Sequence, residues 1–461
     1  MAFKNLEKLV FFKVEFWAVL LLALFGTIGC VLFGWIVKRT ITLPNAKCTS
    51  PLAVGIATLP DHAIELMRTG VELVGQGKFV QKNKQIVDFD KFSGLKIEDP
   101  SFEEDGILLV SAYRDKHRIS TVYLYDLKTQ ERLWEWVPDH DQIVEKTPSL
   151  KRIADAGDEI PGVNNRALFR SQHPYLLDDG SVLINSGEGV LVKMDAFGNV
   201  VWTSDRHYHH SIERMADGNF IVPIIVNGKN ADFRDDGYAI VSPEGEVLEE
   251  RSVVGILVRN GYQGLVFGIG EWEKDRTHVN SAEPILESDE FVHRGDIVLS
   301  IRHLSTVFLY RPSEDRVVWL QTGPWIIQHD VNYLGEGKFS VFGNDYVRGR
   351  GWHDYGNSNI YVYDMESEEI STPYGDLFKQ LVLRSETRGL QRILDNGDAF
   401  VSLTDAHQLI RLNNEKIRWL YASPLGKGKV GALHWSRYFY RDELDLSWLR
   451  KLKSKGTQDG K

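Results

Sequence analysis

Phe16 to Val37 is an almost unbroken apolar run carrying no charge. It exceeds the roughly 20 residues a helix needs to cross a bilayer. A cleavable signal peptide has an apolar core of only about 7–15 residues, so the run predicts an uncleaved membrane anchor over residues 1–40. Lys4, Lys8 and Lys13 precede it and Lys38 and Arg39 follow, so flanking charge does not decide the orientation. Residues 41–101 read as a stalk and lead-in, with one short helix over Ala63–Arg68 capped by Asp61.

From Gly106 onward the pattern changes to short β-rich runs broken by Gly, Asn and Asp. Six turn glycines (Gly106, Gly180, Gly218, Gly295, Gly337 and Gly397) each precede an apolar strand such as Ile107–Val110, Phe220–Val222 or Phe339–Phe342. Second and third strands follow, the third often ending in Trp, as at Trp134, Trp202, Trp319 and Trp419. Units of roughly 40–75 residues are too uneven for a regular WD-type array and suit four-stranded blades with insertions. The pattern predicts an all-β, six-bladed propeller over residues 102–446, with the tryptophans packing between blades. Residues 447–461 read as a frayed, solvated tail, with a short amphipathic segment against an anionic membrane as the rival.

A histidine recurs at one register of these units. His329 stands eight residues before Gly337, His210 eight before Gly218, and His173 seven before Gly180. Equivalent registers of a radial repeat lie at equivalent radii, so these imidazoles are expected to converge on a common axis. His209-His210 opens the third unit and Thr277-His278-Val279-Asn280 the fourth. Ser300-Ile301-Arg302-His303 follows the fourth unit's first strand, and Gln328-His329-Asp330 opens the fifth. One strand histidine is ordinarily a satisfied core residue. Several imidazoles and a guanidinium facing one axis need polar partners, and a solvent-reached funnel that binds an anion supplies them. His173, whose unit lacks the flanking motif, is expected to be peripheral to the chemistry.

The acidic balance, 54 basic against 64 acidic residues, argues against sequence-independent nucleic-acid binding. Both cysteines, Cys30 and Cys48, precede the β-rich part, which excludes a disulfide scaffold or Cys-based metal site there. A histidine cluster can hold Zn or Fe, but carboxylates are few around it and Arg302 repels a divalent ion. The alternative is group transfer through a nucleophilic histidine, with Arg302 neutralising oxygens and a second histidine protonating the leaving group.

From about residue 105 to 440 the chain resembles the bacterial arylsulfate sulfotransferases. The resemblance rests on His209-His210, Asp275-Arg276-Thr277-His278-Val279-Asn280-Ser281, Ser300-Ile301-Arg302-His303-Leu304-Ser305, Gln328-His329-Asp330 and Phe342-Gly343-Asn344-Asp345. It implies a six-bladed propeller that passes a sulfuryl group from an aryl sulfate to a phenol through a sulfated histidine. No nucleotide donor, cofactor or metal is implied. His329 would be the nucleophile, His278 and Arg302 would hold the sulfuryl oxygens, and His210 would be the acid/base partner. His209, Asn280 and His303 would line the substrate site. The resemblance also implies a propeller in the periplasm, held to a bacterial inner membrane by a single N-in helix. Ser211 stands where the family has an aspartate, and Gly343-Asn344-Asp345 shuffles the family's Asp-Asn-Gly order. The competing reading is an anchored, non-catalytic propeller that binds an anionic glycan or a protein partner, with a metal-dependent hydrolase more distant.

Overall fold

The computed structural model describes residues 15–42, 86–89, 91–155, 169–187, 189–227, 233–268, 274–346, 356–426 and 428–456, with a few isolated positions between them. The helix expected after Asp61 lies outside the described residues. The chain divides into two units, Met1–Lys82 and Asn83–Lys461.

The first unit holds the helix Phe16–Thr42. Its segment Phe16–Thr40 is long and apolar enough to cross a membrane, and Phe16, Trp17, Leu22 and Phe25 are exposed on it. No charge interrupts the run, so its apolar surface extends all round instead of along one stripe.

The second unit is mostly β, built of antiparallel meanders. The first is Ile107–Arg114, Ile119–Asp126 and Glu131–Trp136, completed by the distant strand Leu433–Phe439. Phe439 pairs with Ile107 and Leu433 with Ala112. Two further meanders, Gln172–Leu176 to Val200–Tyr208 and Glu213–Arg214 to Val247–Ser252, fuse into one eight-stranded sheet through Tyr208 opposite Ile224. Val279–Pro284 to Arg316–Thr322 and Asp330–Gly335 to Ile370–Ser371 each form a four-stranded sheet. Leu390–Ile393 to Ile417–Ala422 gains Gly94–Ile97 as a fifth strand, and Ile86–Asp88 pairs with Lys429–Gly431. The end of the expected lead-in is therefore part of the β unit.

These strands are apolar on both faces because each sheet is covered on both sides. Every buried cluster draws on two neighbouring meanders. Leu124 packs with Val182, Tyr238 with Phe308, Leu309 with Phe339, and Phe342 with Val401, while Tyr123 joins Phe400 of the last sheet to the first. Among the innermost strands, Glu213–Arg214, Val279–Pro284, Asp330–Gly335 and Leu390–Ile393 touch in succession, and Leu433–Phe439 touches Gln172–Leu176. The tryptophans link neighbouring meanders: Trp202 Nε1 donates to the Pro243 carbonyl and Trp319 stacks on Phe339 at 4.9 Å.

Two expectations are corrected. Gly180, Gly218, Gly295, Gly337 and Gly397 take left-handed turn conformations with φ between 70° and 91°, but Gly106 does not. Gly106 is small because the Tyr438 ring lies 2.4 Å from where its Cβ would sit. The C-terminal segment is no frayed tail. Ser447–Gly456 is a helix whose Trp448 and Leu449 are 7% and 5% exposed. Trp448 packs on Trp136 at 5.7 Å and covers Gly180, so adjacent apolar residues flanked by basic ones dock on the first two meanders.

Candidate functional site

The predicted side chains meet where the chain enters the innermost strands. His278 directly precedes Val279–Pro284 and His329 directly precedes Asp330–Gly335. Arg302 belongs to the neighbouring turn, but the antiparallel pairing of Val279 with Ile301 returns it to the same end. His173, His210 and His278 all adopt left-handed backbone, with φ of 45°, 57° and 53°. Such non-glycine conformations cost on the order of 1–3 kcal/mol each and concentrate at functional sites. Register shifts at Gln172/Tyr175 and Val279/Ser281 bend the strands here and re-aim their side chains.

His210 is the hub. Its ring centroid lies 5.3 Å from that of His278, 5.7 Å from His329, 5.6 Å from Trp435 and 6.4 Å from His173. His209 is buried behind it, with Nδ1 2.8 Å from Nδ1 of His210 and Nε2 3.7 Å from the buried Asp236 carboxylate. Asp236 and His209 thus stand in line behind His210, with one hydrogen bond joining the two imidazoles. His173, expected at the margin, stacks on Trp435 at 4.4 Å beside the hub.

The hydrogen bonds of His329 settle its tautomer. Nδ1 is 2.6 Å from Oδ1 of Asn344 and 3.2 Å from the Ile327 carbonyl. The Asn344 amide cannot be turned round, because its Nδ2 donates to the carbonyls of Ser385 at 2.7 Å and Arg388 at 3.0 Å. Both neighbours of Nδ1 are acceptors, so Nδ1 carries the proton and Nε2 keeps its lone pair. Burial, then the charge of Arg302, pushes the His329 pKa well below the ordinary imidazole range, outweighing the Asn344 hydrogen bond. Burial and the neighbouring histidines do the same to His210, while burial and Arg234 do so to His278. Around neutrality these rings are uncharged.

On the open side, His278 Nδ1 donates to Asp275 Oδ2 at 2.7 Å and His303 Nδ1 donates to the Asp275 carbonyl at 2.6 Å. Arg302 Nη1 lies 3.4 Å from His303 Nε2. Asp275, His278 and His303 bring three potential metal-ligand atoms within 4.8 Å of one another. The guanidinium of Arg234, 3.6 Å from Asp275, and that of Arg302 oppose a divalent cation there and favour an anion. Asn280, expected to touch substrate, instead spends its Nδ2 on the Gln328 carbonyl at 2.7 Å, holding the turn that carries His329.

A model for arylsulfotransferase (ASST) matches residues 173–422, which contain all of these histidines and Arg302. The chain belongs to the arylsulfotransferase family. No curated protein matches it. Among solved structures, the chain is similar to a Bacteroides caccae protein of unknown function at 13% identity, covering 73% of this chain and 100% of the other with a TM-score of 0.47. It is similar to the WD40 beta propeller domain of Doa1 at 12% identity (77% and 99% covered, TM-score 0.41) and to a streptogramin B lyase at 10% (72% and 88%, TM-score 0.40).

Residues without an assigned role in the sequence reading complete the site. Asn344 and Asp275 lie inside motifs that carry the family resemblance, yet nothing in their spacing marks them as partners of His329 and His278. Pairing of Asp330 with Phe342 is what brings Asn344 within reach of His329. Trp435 arrives from the far end of the chain and is invisible to any local motif.

Proposed function

We propose that the second unit is a six-bladed propeller and that it transfers a sulfuryl group from an aryl sulfate to a phenol through a sulfo-histidine on His329. The hydrogen bond from His329 Nδ1 to Asn344 Oδ1 carries this reading, because it leaves Nε2 as an unprotonated nucleophile facing the ring of histidines.

The aryl sulfate monoanion enters beside Arg302 and His278, which take its non-bridging oxygens. Its negative charge raises the pKa of the surrounding imidazoles, so His210 and His278 each take up a proton as the donor binds. Nε2 of His329 then attacks sulfur, and the sulfur–oxygen bond to the aryl group breaks. The phenolate leaves with the bonding pair and receives the His210 proton. The N-sulfo-imidazolium keeps its Nδ1 proton on Asn344 and the Ile327 carbonyl, two dipoles already oriented to stabilise the positive ring. In the return half, the acceptor phenol loses its proton to His210 as its oxygen attacks sulfur. The N–S bonding pair goes back to Nε2. His209 and Asp236 hold His210 in place from behind. The helix Phe16–Thr42 anchors the enzyme singly in a bacterial inner membrane, N-terminus inside, with the propeller in the periplasm.

Brief exposure of the purified protein to an aryl sulfate, followed by peptide mass spectrometry, tests the reading. A sulfuryl adduct on His329, lost together with transfer in His329→Ala, is the expected result. Full transfer activity in that variant would remove His329 from the mechanism.

A further inference from the structure

A second cavity, of about 300 Å³, is lined by residues from the innermost strand of every meander. His173 and Ser211 are at one side of it, and none of His210, His278, His329 or Arg302 lines it. Its polar groups do not balance. Arg437 is fully engaged: Nη1 and Nη2 donate to the two oxygens of Glu213 at 3.0 and 2.8 Å, Nε donates to the Pro174 carbonyl, and Nη2 also reaches the Ile212 carbonyl. Glu213 is thereby neutralised. Asp330 receives only neutral donors, Asn332 Nδ2 at 3.0 Å and the Gln391 backbone N–H at 2.9 Å. Glu283 accepts no hydrogen bond and forms no ion pair among the described residues. Gln391 is 2% exposed; its Nε2 donates to Ser340, and its Oε1 has no partner among the described residues.

The cavity therefore offers two carboxylates with no spare cationic donor to meet them, since Arg392, which also lines it, is committed to Glu443 and the Tyr438 carbonyl. Enclosing such acceptors costs free energy until a donor arrives. The stress is visible in Asp330, whose pKa is pushed up to about 6 by burial, and in Glu283, raised by burial and by Glu213 and Asp330. Leu334, Leu390, Phe400 and Phe439 add an apolar part to the wall. A bare metal ion fits this poorly, since among the described residues only Asp275, His278 and His303 gather ligand atoms closely enough to coordinate one. Glu283 and Tyr333 also line an adjoining cleft of about 320 Å³ whose wall includes Glu287 and Asp289, giving an acidic approach.

We propose that this cavity binds a small organic ammonium, its cationic head between Glu283 and Asp330 and its hydrocarbon body on the leucine and phenylalanine wall. The site is separate from the sulfuryl chemistry and does not depend on it.

Isothermal titration of the full chain in detergent with benzylamine, benzyl alcohol and calcium chloride tests the assignment. Benzylamine is expected to bind saturably with one site per chain, while benzyl alcohol, of the same shape and uncharged, binds at least about tenfold more weakly. Glu283→Gln, which keeps the side-chain volume, is expected to weaken benzylamine about ten- to hundredfold while leaving adduct formation on His329 unchanged. Equal binding of amine and alcohol, no saturable amine binding, or displacement of the amine by calcium would each overturn the proposal. The comparison of the three ligands on the unmodified protein stands even if the variant does not fold.

Discussion

Nδ1 of His278 donates to Oδ2 of Asp275 at 2.7 Å, which fixes that imidazole with Nε2 as the atom available to substrate. When a sulfate monoanion raises the His278 pKa, the same carboxylate stabilises the second proton on Nε2, the one that would bind a sulfuryl oxygen. Asp275→Ala is expected to slow sulfation of His329 about 10–10²-fold, the range for losing one hydrogen bond to a charged group. Single-turnover kinetics with an aryl sulfate measure it, and an unchanged rate would show that His278 needs no such support.

Arg302 lies beside His303 and its charge reaches both His329 and His278. Arg302→Ala is expected to lower kcat/KM for the donor by about 10²–10³-fold, comparable to losing a preorganised oxyanion donor. Arg302→Lys keeps the charge but not the planar fork and is expected to recover only part of the rate. Steady-state kinetics of both variants provide the comparison.

Donor binding is expected to take up about two protons, because burial keeps His210 and His278 neutral in the free protein, while the leaving phenolate needs a protonated His210 and a sulfuryl oxygen needs a proton on His278 Nε2. Calorimetry of a non-reactive sulfonate analogue in buffers of different ionisation enthalpy counts those protons. For the same reason, analogue affinity should strengthen as pH falls from 8 toward 6. Zero uptake would leave the first half-reaction without its acid.

Acid stability follows from the same depressed imidazoles. His173 is buried and uncharged, with a folded pKa well below its ordinary value, chiefly through burial. Below the unfolded-state pKa of about 6.5 the unfolded chain binds a proton that the folded chain refuses. Stability is then lost as pH falls from there toward the folded pKa, at up to about 1.4 kcal/mol per pH unit for this one group. Asp330 and Asp345, both raised to about 6, act in the opposite sense below that pH. His173→Gln keeps these carboxylates and removes one histidine, so its Tm should fall less steeply than that of the parent between pH 6.5 and 5.

Trp448→Ala removes the indole that covers Gly180 and packs on Trp134 and Trp136. A loss of about 3–5 kcal/mol is expected, as for other buried aromatic truncations. A denaturant titration would show it as a lowered midpoint, whereas a solvated tail would leave the midpoint unmoved.

The alternation of apolar strands and turn glycines was enough to place most strands and to separate the apolar helix from the β unit. It misplaced Gly106 because a glycine made small by a neighbouring ring leaves the same mark as one needed for a turn. It missed the docking of Trp448, since a two-residue apolar contact among lysines looks solvated until its receptor surface is known. The recurring histidine register pointed correctly to His210 and His329 near one another. His173 was set aside for want of a motif, although its neighbour Trp435 is 262 residues away and only the closed arrangement of sheets brings the two together. Asn280 shows the converse: a polar residue in a catalytic motif can serve the backbone of its neighbour.

The strand Leu433–Phe439 occupies the innermost place of the first sheet and carries Trp435 to the histidine cluster. During synthesis, every residue that pairs with it in that sheet emerges more than 300 residues earlier. Until it arrives, Ile107–Arg114 presents an open edge, and the aromatic wall beside His210 is missing. A chain halted or clipped before residue 433 would thus carry His329, Arg302 and His210 without Trp435 beside them. Competence is reached at one late step of folding, and exposure of that strand edge makes aggregation or proteolysis the fate of chains that stop short of it.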